Sequence, residues 1–111
     1  MRNFPENENN NSVKLLGLLG LCVNAGKAVL GTAMICDAMR NKNKILLVIE
    51  AADTSENTHK RLTDKCAYYG VRHVRVGVSM LELSHKLGRS SEVSSIGITD
   101  KNFLLGIEKL L

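Results

Sequence analysis

Hydrophobic positions along the chain alternate between helical and extended patterns. Residues 13–23 are strongly apolar, and leucines lie on most sides of the helix that Ser12 would cap. Residues 45–49, Ile-Leu-Leu-Val-Ile, form a continuous β-rich run, which is typical of a strand covered on both faces. Because such a strand needs helices on both sides, the pattern predicts a layered α/β fold.

Capping and turn residues divide the rest of the chain into short elements. Extended segments are predicted at residues 27–30, 72–78 and 94–98, and helices at residues 12–24, 32–40, 53–69, 80–87 and from about residue 100 onward. Ser79 and Glu82 form a capping box, and Gly70 ends the third helix. Basic and apolar residues alternate over 72–78, as expected near a sheet edge. Together these elements predict a three-layer α/β/α sandwich around a central mixed sheet of about four strands.

Length and composition indicate one globular domain preceded by a tail. The chain has 111 residues and is 44% apolar, which suffices for one hydrophobic core. Residues 1–11 are rich in Asn and Glu and nearly lack apolar side chains, so we predict a disordered tail followed by a single domain over residues 12–111. The apolar run at 13–23 is too short to cross a bilayer and does not resemble a signal peptide. A cytoplasmic protein without a membrane partner is expected.

The net charge indicates which partners suit the chain, and the cysteine spacing indicates whether a disulfide is expected. The net charge of +4 suits a polyanion but does not prove one. Cys22, Cys36 and Cys66 are far apart and form no C-x-x-C pair. They are therefore expected to pack as small buried hydrophobes in a reducing compartment rather than to form a disulfide.

Histidines and acidic residues show no spacing that is typical of a metal or catalytic site. His59, His73 and His85 are scattered, with neither an H-x-x-x-H pair nor a carboxylate motif beside them. No metal ion and no cofactor is expected. Paired catalytic groups are also missing at any recognisable spacing, so the chain is not expected to be an enzyme.

The segment at residues 24–32 carries the clearest functional signal. Gly26 permits a tight turn, and Gly31 lies where backbone N–H groups of the next helix become available. Those groups and the helix dipole favour an anion, and Lys27 would add a positive charge. The more common interpretation is a helix C-cap at Gly26, then a short edge strand, with Lys27 in solvent. A Walker loop is excluded because Ala28 follows Lys27 where Ser or Thr is needed.

The order of several short motifs resembles a known family. In chain order they are Leu16-Gly17-Leu18, Asn24-Ala25-Gly26-Lys27, Leu30-Gly31-Thr32, Ile45 to Glu50, Ala52-Asp53-Thr54-Ser55-Glu56-Asn57-Thr58, Lys65-Cys66 and Leu87-Gly88-Arg89. This order resembles the kink-turn RNA-binding ribosomal proteins of the L-seven-Ae and L-thirty-e superfamily, and is most similar to its bacterial YlxQ branch. The similarity covers residues 12–100 approximately. It implies an α/β/α sandwich that binds structured RNA, chiefly ribosomal RNA and through it the ribosome, without catalysis and without a DNA partner.

The resemblance also implies which residues meet RNA. In the family these are the Gly-Lys turn before the first strand, the start of the second helix and the loop ahead of the last strand. On this chain they correspond to Gly26, Lys27, Gly31, Thr32, Ala33, Met34, Leu87, Gly88, Arg89 and Ser90. Backbone phosphates would be held by Lys27 and by N–H groups near Gly31 and Thr32, while the second loop would pack against a splayed nucleotide.

The chain departs from the family pattern at the start of the second helix. Strict kink-turn readers carry Gly-x-Asn-Glu there, whereas this chain has Gly31-Thr32-Ala33-Met34, so direct base readout is expected to be lost. Asp37 adds negative charge nearby. Met34 either stacks on a base or, as we favour, packs in the core, and Arg89 either contacts RNA or lies in solvent. The alternative function is a protein-interaction or scaffold domain that keeps the fold without kink-turn recognition.

Overall fold

A computed structural model describes residues 6–111 of the protein, with side-chain burial from residue 11 onward. Helices and strands alternate along this part of the chain. In order they are α1 (Glu6–Asn24), β1 (Ala28–Leu30), α2 (Thr32–Arg40), β2 (Leu47–Glu50), α3 (Glu56–Tyr69), β3 (Arg72–Arg75), α4 (Met80–Lys86), β4 (Ser95–Ile98) and α5 (Lys101–Glu108).

The four strands form one mixed sheet in the order β1-β4-β2-β3. Strand β4 is antiparallel to both β1 and β2, whereas β2 and β3 are parallel. Every residue of the two inner strands, β2 and β4, is buried, as the uninterrupted apolar run predicts for β2. Strand β3 lies at an edge, in agreement with its alternating pattern.

Helices cover both faces of the sheet and complete the three layers. On one face α1, α4 and α5 pack over the sheet around buried Leu19, Leu83 and Ile107. On the other face α2 and α3 pack around buried Ile35 and Leu62. The predicted α/β sandwich is therefore confirmed, and the three cysteines are buried free thiols, as expected. Within residues 6–111, no helix has the length and apolar character that a bilayer crossing requires.

Local capping signals place most element ends where the sequence predicts them. The Ser55 hydroxyl accepts from the Thr58 N–H at the start of α3, and Gly70 ends that helix in the left-handed conformation. Both hydrogen bonds of the Ser79 and Glu82 capping box are present at α4. The Asp100 carboxylate caps α5 by accepting from the Phe103 N–H.

The first helix begins earlier than predicted. Helix α1 starts at Glu6 rather than Ser12, so residues 6–11, which composition places in a disordered tail, are helical. Once a helix has nucleated, each added residue fixes only its own backbone and gains a hydrogen bond, which lets a polar segment extend it. The rest of the predicted tail, residues 1–5, lies outside the described residues. The assignment of residues 12–111 to one domain stays a prediction.

Candidate nucleic-acid interface

Helix α2 begins without a side-chain cap. Gly31 occupies the N-cap position with φ of 90°, a conformation that residues with a Cβ rarely adopt. Its N–H donates to the Ser95 carbonyl at 2.9 Å, and its carbonyl accepts the helical hydrogen bond from Ile35 at 3.0 Å. Among the described residues, no side chain accepts from the first-turn N–H groups, and Ala33 and Met34 are exposed there. Free N–H donors and the helix dipole are the features that favour an anion at a helix start.

Hydroxyl groups connect this terminus to the start of β4. The Thr32 Oγ1 lies 2.9 Å from the Ser94 Oγ and 3.0 Å from the Ser95 Oγ. The Thr32 hydroxyl is thus engaged within the protein, and it fixes the first turn of α2 relative to the central strand. Ser94 and Ser95 are structural partners of the site that the sequence did not indicate, because they lie more than 60 residues from Thr32.

An open groove runs beside the start of α2. Its volume is about 500 Å³, and its walls include Gly31, Met34, Arg89 and Glu92. Met34 is 60% exposed, so the favoured interpretation of this residue as core is wrong. Its side chain projects from the first turn of α2 into solvent, whereas the next residue, Ile35, is fully buried. The groove therefore joins an apolar surface to one guanidinium and one carboxylate.

The loop before β4 contributes unequally to this surface. Leu87, which the family resemblance places among the RNA contacts, is only 9% exposed and its side chain packs in the core, so its contact with RNA stays a prediction. Gly88 adopts φ of 68°, and the Arg89 N–H donates to the Ser84 carbonyl at 2.8 Å, which closes α4. Arg89 and Ser90 are exposed. Together with Gly88, which is also exposed, these two residues are the accessible part of the predicted loop contact.

The Gly26 turn is a helix C-cap. Gly26 has φ of 73°, its N–H donates to the Val23 carbonyl, and the Lys27 N–H donates to the Cys22 carbonyl, both at 3.0 Å. This pair of hydrogen bonds is the Schellman motif that commonly ends a helix at glycine. The alternative interpretation of the segment, a C-cap followed by the edge strand β1, is therefore confirmed.

The fold separates Lys27 from the start of α2. The Lys27 carbonyl accepts from the Thr99 N–H beyond the end of β4, whereas Gly31 pairs with Ser95 at the beginning of that strand. At about 3.3 Å per residue, the Cα atoms of Lys27 and Gly31 lie roughly 13 Å apart. The expectation that Lys27 adds its charge to the Gly31 terminus is therefore wrong, and contact of Gly26 and Lys27 with another part of an RNA stays a prediction.

The negative charge of Asp37 is compensated locally. Its Oδ1 lies 2.8 Å from an Nη2 of Arg40 on the same helix, and both side chains are at least half exposed. An exposed pair of this kind contributes little to stability, but the positive charge of Arg40 offsets the negative charge of Asp37 that an approaching phosphate meets. The acidic residue is therefore a smaller obstacle to RNA than its position in the sequence indicates.

A buried polar cluster lies beneath α3. Glu50 ends β2 with no exposed surface, and its Oε1 accepts from His59 Nδ1 at 2.8 Å and from His73 Nε2 at 2.7 Å. The Thr54 hydroxyl donates to Oε2. Burial alone raises the pKa of Glu50, but hydrogen bonds from Thr54, His59 and His73 outweigh it, so that pKa lies below its usual value. The only sequence signal for the cluster is an acidic residue that closes an apolar strand.

Comparison with known proteins identifies the family. The model of the ribosomal protein L7Ae/L30e/S12e/Gadd45 family matches residues 13–104. The chain belongs to this family. The match confirms the family resemblance that the order of motifs predicts.

Two relatives support the similarity of this chain to the YlxQ branch of the family. The RNA-binding protein YlxQ of Enterococcus faecium is 34% identical over 101 residues, which cover 91% of this chain and 94% of that protein. The RNA-binding protein YlxQ of Bacillus subtilis (strain 168) is 37% identical over 95 residues, which cover 85% and 91%. The resemblance thus extends over nearly the whole chain.

Solved structures share the fold. A protein with unknown function from Bacillus halodurans C is 32% identical and superposes with a TM-score of 0.77, covering 87% of this chain and 95% of that one. The 15.5kD RNA binding protein of Giardia lamblia is 22% identical and superposes with a TM-score of 0.69, covering 92% and 91%. At that identity the second likeness concerns the fold alone.

Proposed function

We propose that this chain is a non-enzymatic RNA-binding protein that holds RNA backbone at the start of α2 and at the adjoining loop before β4. The observation that carries the proposal is the uncapped N-terminus of α2 beside Arg89, on one groove. Membership of the family and the RNA-binding names of the YlxQ relatives support it. The net charge of +4 favours the same class of partner.

Each part of this surface has a distinct role in the proposal. First-turn N–H groups of α2 donate to phosphate oxygens, and the Arg89 guanidinium adds a charged donor. The exposed Met34 side chain packs against a nucleobase, a contact that every base can make. Ala33 and Met34 carry no hydrogen-bonding side chain, and the Thr32 hydroxyl is already engaged by Ser94 and Ser95. The surface therefore holds RNA backbone more strongly than it reads bases.

The target that fits this surface is structured RNA with relaxed sequence specificity. We infer an association with ribosomal RNA in the cytoplasm, in keeping with the ribosomal proteins of the family. Strict kink-turn recognition is not part of the proposal, because the Asn and Glu side chains that read sheared pairs are replaced by Ala33 and Met34. Affinity is then dominated by phosphate contacts, which weaken as salt displaces them.

Fluorescence anisotropy with a labelled ribosomal RNA fragment tests the proposal. Arg89→Ala is expected to weaken binding about 3- to 10-fold and to reduce the slope of log K against log salt by roughly 0.7–0.9, the value of one phosphate contact. Arg61→Ala, which removes the same charge from an exposed position on α3, is the matched control and should change affinity less than about 2-fold. Salt-independent or undetectable binding across several structured RNAs would contradict the proposal.

A protein-interaction role is the second candidate, and one observation favours it. Val13 and Leu21 of α1 are 69% and 61% exposed, and their spacing of eight residues places them on similar sides of the helix. This candidate predicts self-association or a stable protein partner through α1. Light scattering on the RNA-free chain together with a protein pull-down separates the two, because a strict monomer that captures no protein partner and binds RNA with salt-dependent affinity would count against the scaffold role.

A further inference from the structure

The cluster around Glu50 joins side chains of three different elements. Glu50 closes the inner strand β2, His73 lies on the edge strand β3, and His59 lies in α3 above them. One ligand atom from each residue lies within 4.8 Å of the other two. The imidazole ring centroids of His59 and His73 are 5.9 Å apart, and the rings are tilted by 45°. Three potential ligands thus converge from separate directions on one point.

The chemistry of these three groups selects a class of ion. Two imidazole nitrogens and one carboxylate oxygen suit Zn²⁺ and neighbouring divalent d-block ions, whereas Mg²⁺ and Ca²⁺ prefer a shell of oxygen atoms. We propose that Glu50, His59 and His73 bind Zn²⁺ as a three-residue site. Tetrahedral zinc places its ligand atoms about 3.3 Å apart. The carboxylate oxygen lies 2.8 Å from His59 Nδ1 and 2.7 Å from His73 Nε2, and the three ligand atoms lie within 4.8 Å of one another, so the side chains must rotate for an ion to enter between them.

The surroundings provide both access and support. The His59 side chain is 42% exposed, while those of His73 and Glu50 are 13% and 0% exposed. An ion therefore enters from the His59 side, where water completes the coordination. Thr54 donates to the other carboxylate oxygen, Oε2, and the Arg75 Nε lies 3.7 Å from it. These partners orient the carboxylate, whose Oε1 is the nearer oxygen to both rings while Oε2 lies 3.1 Å from His59 Nδ1, as supporting residues do at metal sites.

Protons and the metal ion compete for the same atoms. In the hydrogen-bonded arrangement, N–H groups of His59 and His73 point at Glu50, whereas a zinc ligand must offer a lone pair there. A neutral imidazole can offer this lone pair if its proton is on the other ring nitrogen. A charged imidazole must first release one proton to solvent. Zinc binding is therefore expected to weaken as the pH falls.

The test uses the full metal-free chain and Zn²⁺ alone. Isothermal titration is expected to show one ion per chain, and a free Zn²⁺ concentration about 100 times the Kd is expected to raise the Tm by about 5 °C or more. Co²⁺ provides an independent readout, since tetrahedral nitrogen and oxygen ligation produces strong visible absorption without a thiolate charge-transfer band. Burial raises the pKa of Cys22 and Cys66 to about 11, which disfavours both thiols as ligands at neutral pH.

Matched amide variants separate ligation from hydrogen bonding. His59→Asn and His73→Gln keep an N–H donor near the Nδ1 and Nε2 positions, so Glu50 retains its partners, but an amide nitrogen does not bind zinc. Both variants are expected to stay folded by circular dichroism and to lose at least 10-fold in zinc affinity. His85→Asn changes an exposed histidine outside the cluster and should leave binding unchanged.

Three results would overturn the proposal. They are no zinc binding by the folded wild-type chain, full affinity retained in either His59→Asn or His73→Gln, and a cobalt spectrum dominated by thiolate charge transfer. If either amide variant fails to fold, zinc titration and the cobalt spectrum of the folded wild-type chain decide alone.

Discussion

At the residue scale, burial changes the acid–base behaviour of two thiols. Removal from water raises the pKa of Cys22 from its usual 9.0 to about 11, with a smaller contribution from the Asp100 charge. The pKa of Cys66 rises to about 11 for the same main reason, with smaller contributions from Cys36 and Glu50. An unfolded chain releases these protons from about pH 9, whereas the folded chain retains them to about pH 11. The folded state thus binds more protons in this window, and its stability falls as the pH rises.

Cys22→Ala is expected to flatten this alkaline loss of stability. The raised pKa of Cys22 corresponds to roughly 2 kcal/mol of unfolding free energy lost between about pH 8 and 10.5. Urea denaturation of the wild type and the variant at the two pH values measures this loss of unfolding free energy. The cost of the missing sulfur atom is the same at both pH values and cancels in the difference. Parallel pH dependences of the two proteins would mean that burial does not protect this thiol.

At the scale of single elements, two glycines have opposite structural roles. Gly97 lies in the buried strand β4, where an added Cβ would lie 3.3 Å from atoms of Ile35 and Ile45. Gly17 lies in α1, where an added Cβ would meet no atom within 4 Å. At Gly97, packing between the sheet and α2 leaves little room for a Cβ atom. At Gly17, glycine lowers the stability of the helix although no close packing requires it.

A pair of alanine substitutions tests these roles. Gly97→Ala is expected to lower the free energy of unfolding by about 1–3 kcal/mol, because the neighbouring isoleucines must move in a full core. Gly17→Ala is expected to raise it by about 0.5–1 kcal/mol, since alanine favours a helix interior. Thermal and urea unfolding of both variants measures whether each substitution raises or lowers the free energy of unfolding. A stabilising Gly97→Ala would mean that the packing against β4 is loose.

The first turn of α2 lends itself to a gain-of-function test. The double substitution Ala33→Asn and Met34→Glu creates the Gly-x-Asn-Glu tetrad at two exposed positions. A glutamate in the first turn also favours the helix dipole, so stability should not fall. The variant is expected to bind a kink-turn RNA about 5- to 30-fold more tightly relative to a plain duplex of equal length, the value of one or two hydrogen bonds. An unchanged ratio of affinities would show that the tetrad alone does not confer kink-turn recognition.

At the scale of the whole molecule, strand order decides which loops share an end of the sheet. Because β4 is antiparallel to β1 and β2, its first residues lie beside the last residues of both strands, as the pairs Leu30↔Ile96 and Glu50↔Ser95 show. The start of α2, the loop before β4 and the end of β2 therefore meet at one end of the sandwich. The Gly26 turn lies at the other end. Mutations at the two ends thus probe different parts of a bound RNA.

Much of the fold is predictable because its signals are local. Caps at Ser55, Ser79 and Asp100 depend on hydrogen bonds that span three residues, so the residue types alone reveal them. The apolar run before Glu50 likewise reveals a strand buried on both faces. The start of α1 was not predictable in this way, because its polar first residues have no pattern that distinguishes a helix from a tail.

The candidate site was less predictable because it depends on contacts distant in sequence. Sequence proximity placed Lys27 beside Gly31, but the extended strand between them holds the two apart. Met34 is exposed and Leu87 is buried, which helix packing decides and the residue types do not reveal. His59 and His73 have no recognisable spacing, yet α3 and β3 bring both to Glu50.

The elements other than the start of α1, the layered architecture, the buried cysteines and the family resemblance all follow from the sequence, because periodicity, capping and motif order act over a few residues or persist as a pattern. The tertiary structure alone decided that Gly31, Met34 and Arg89 share one groove, that Lys27 lies apart from it, and that a buried carboxylate faces two histidines. Strand pairing joins residues 25 to 70 positions apart, from Leu47↔Arg72 to Ala28↔Ile98, and no local preference encodes those pairings.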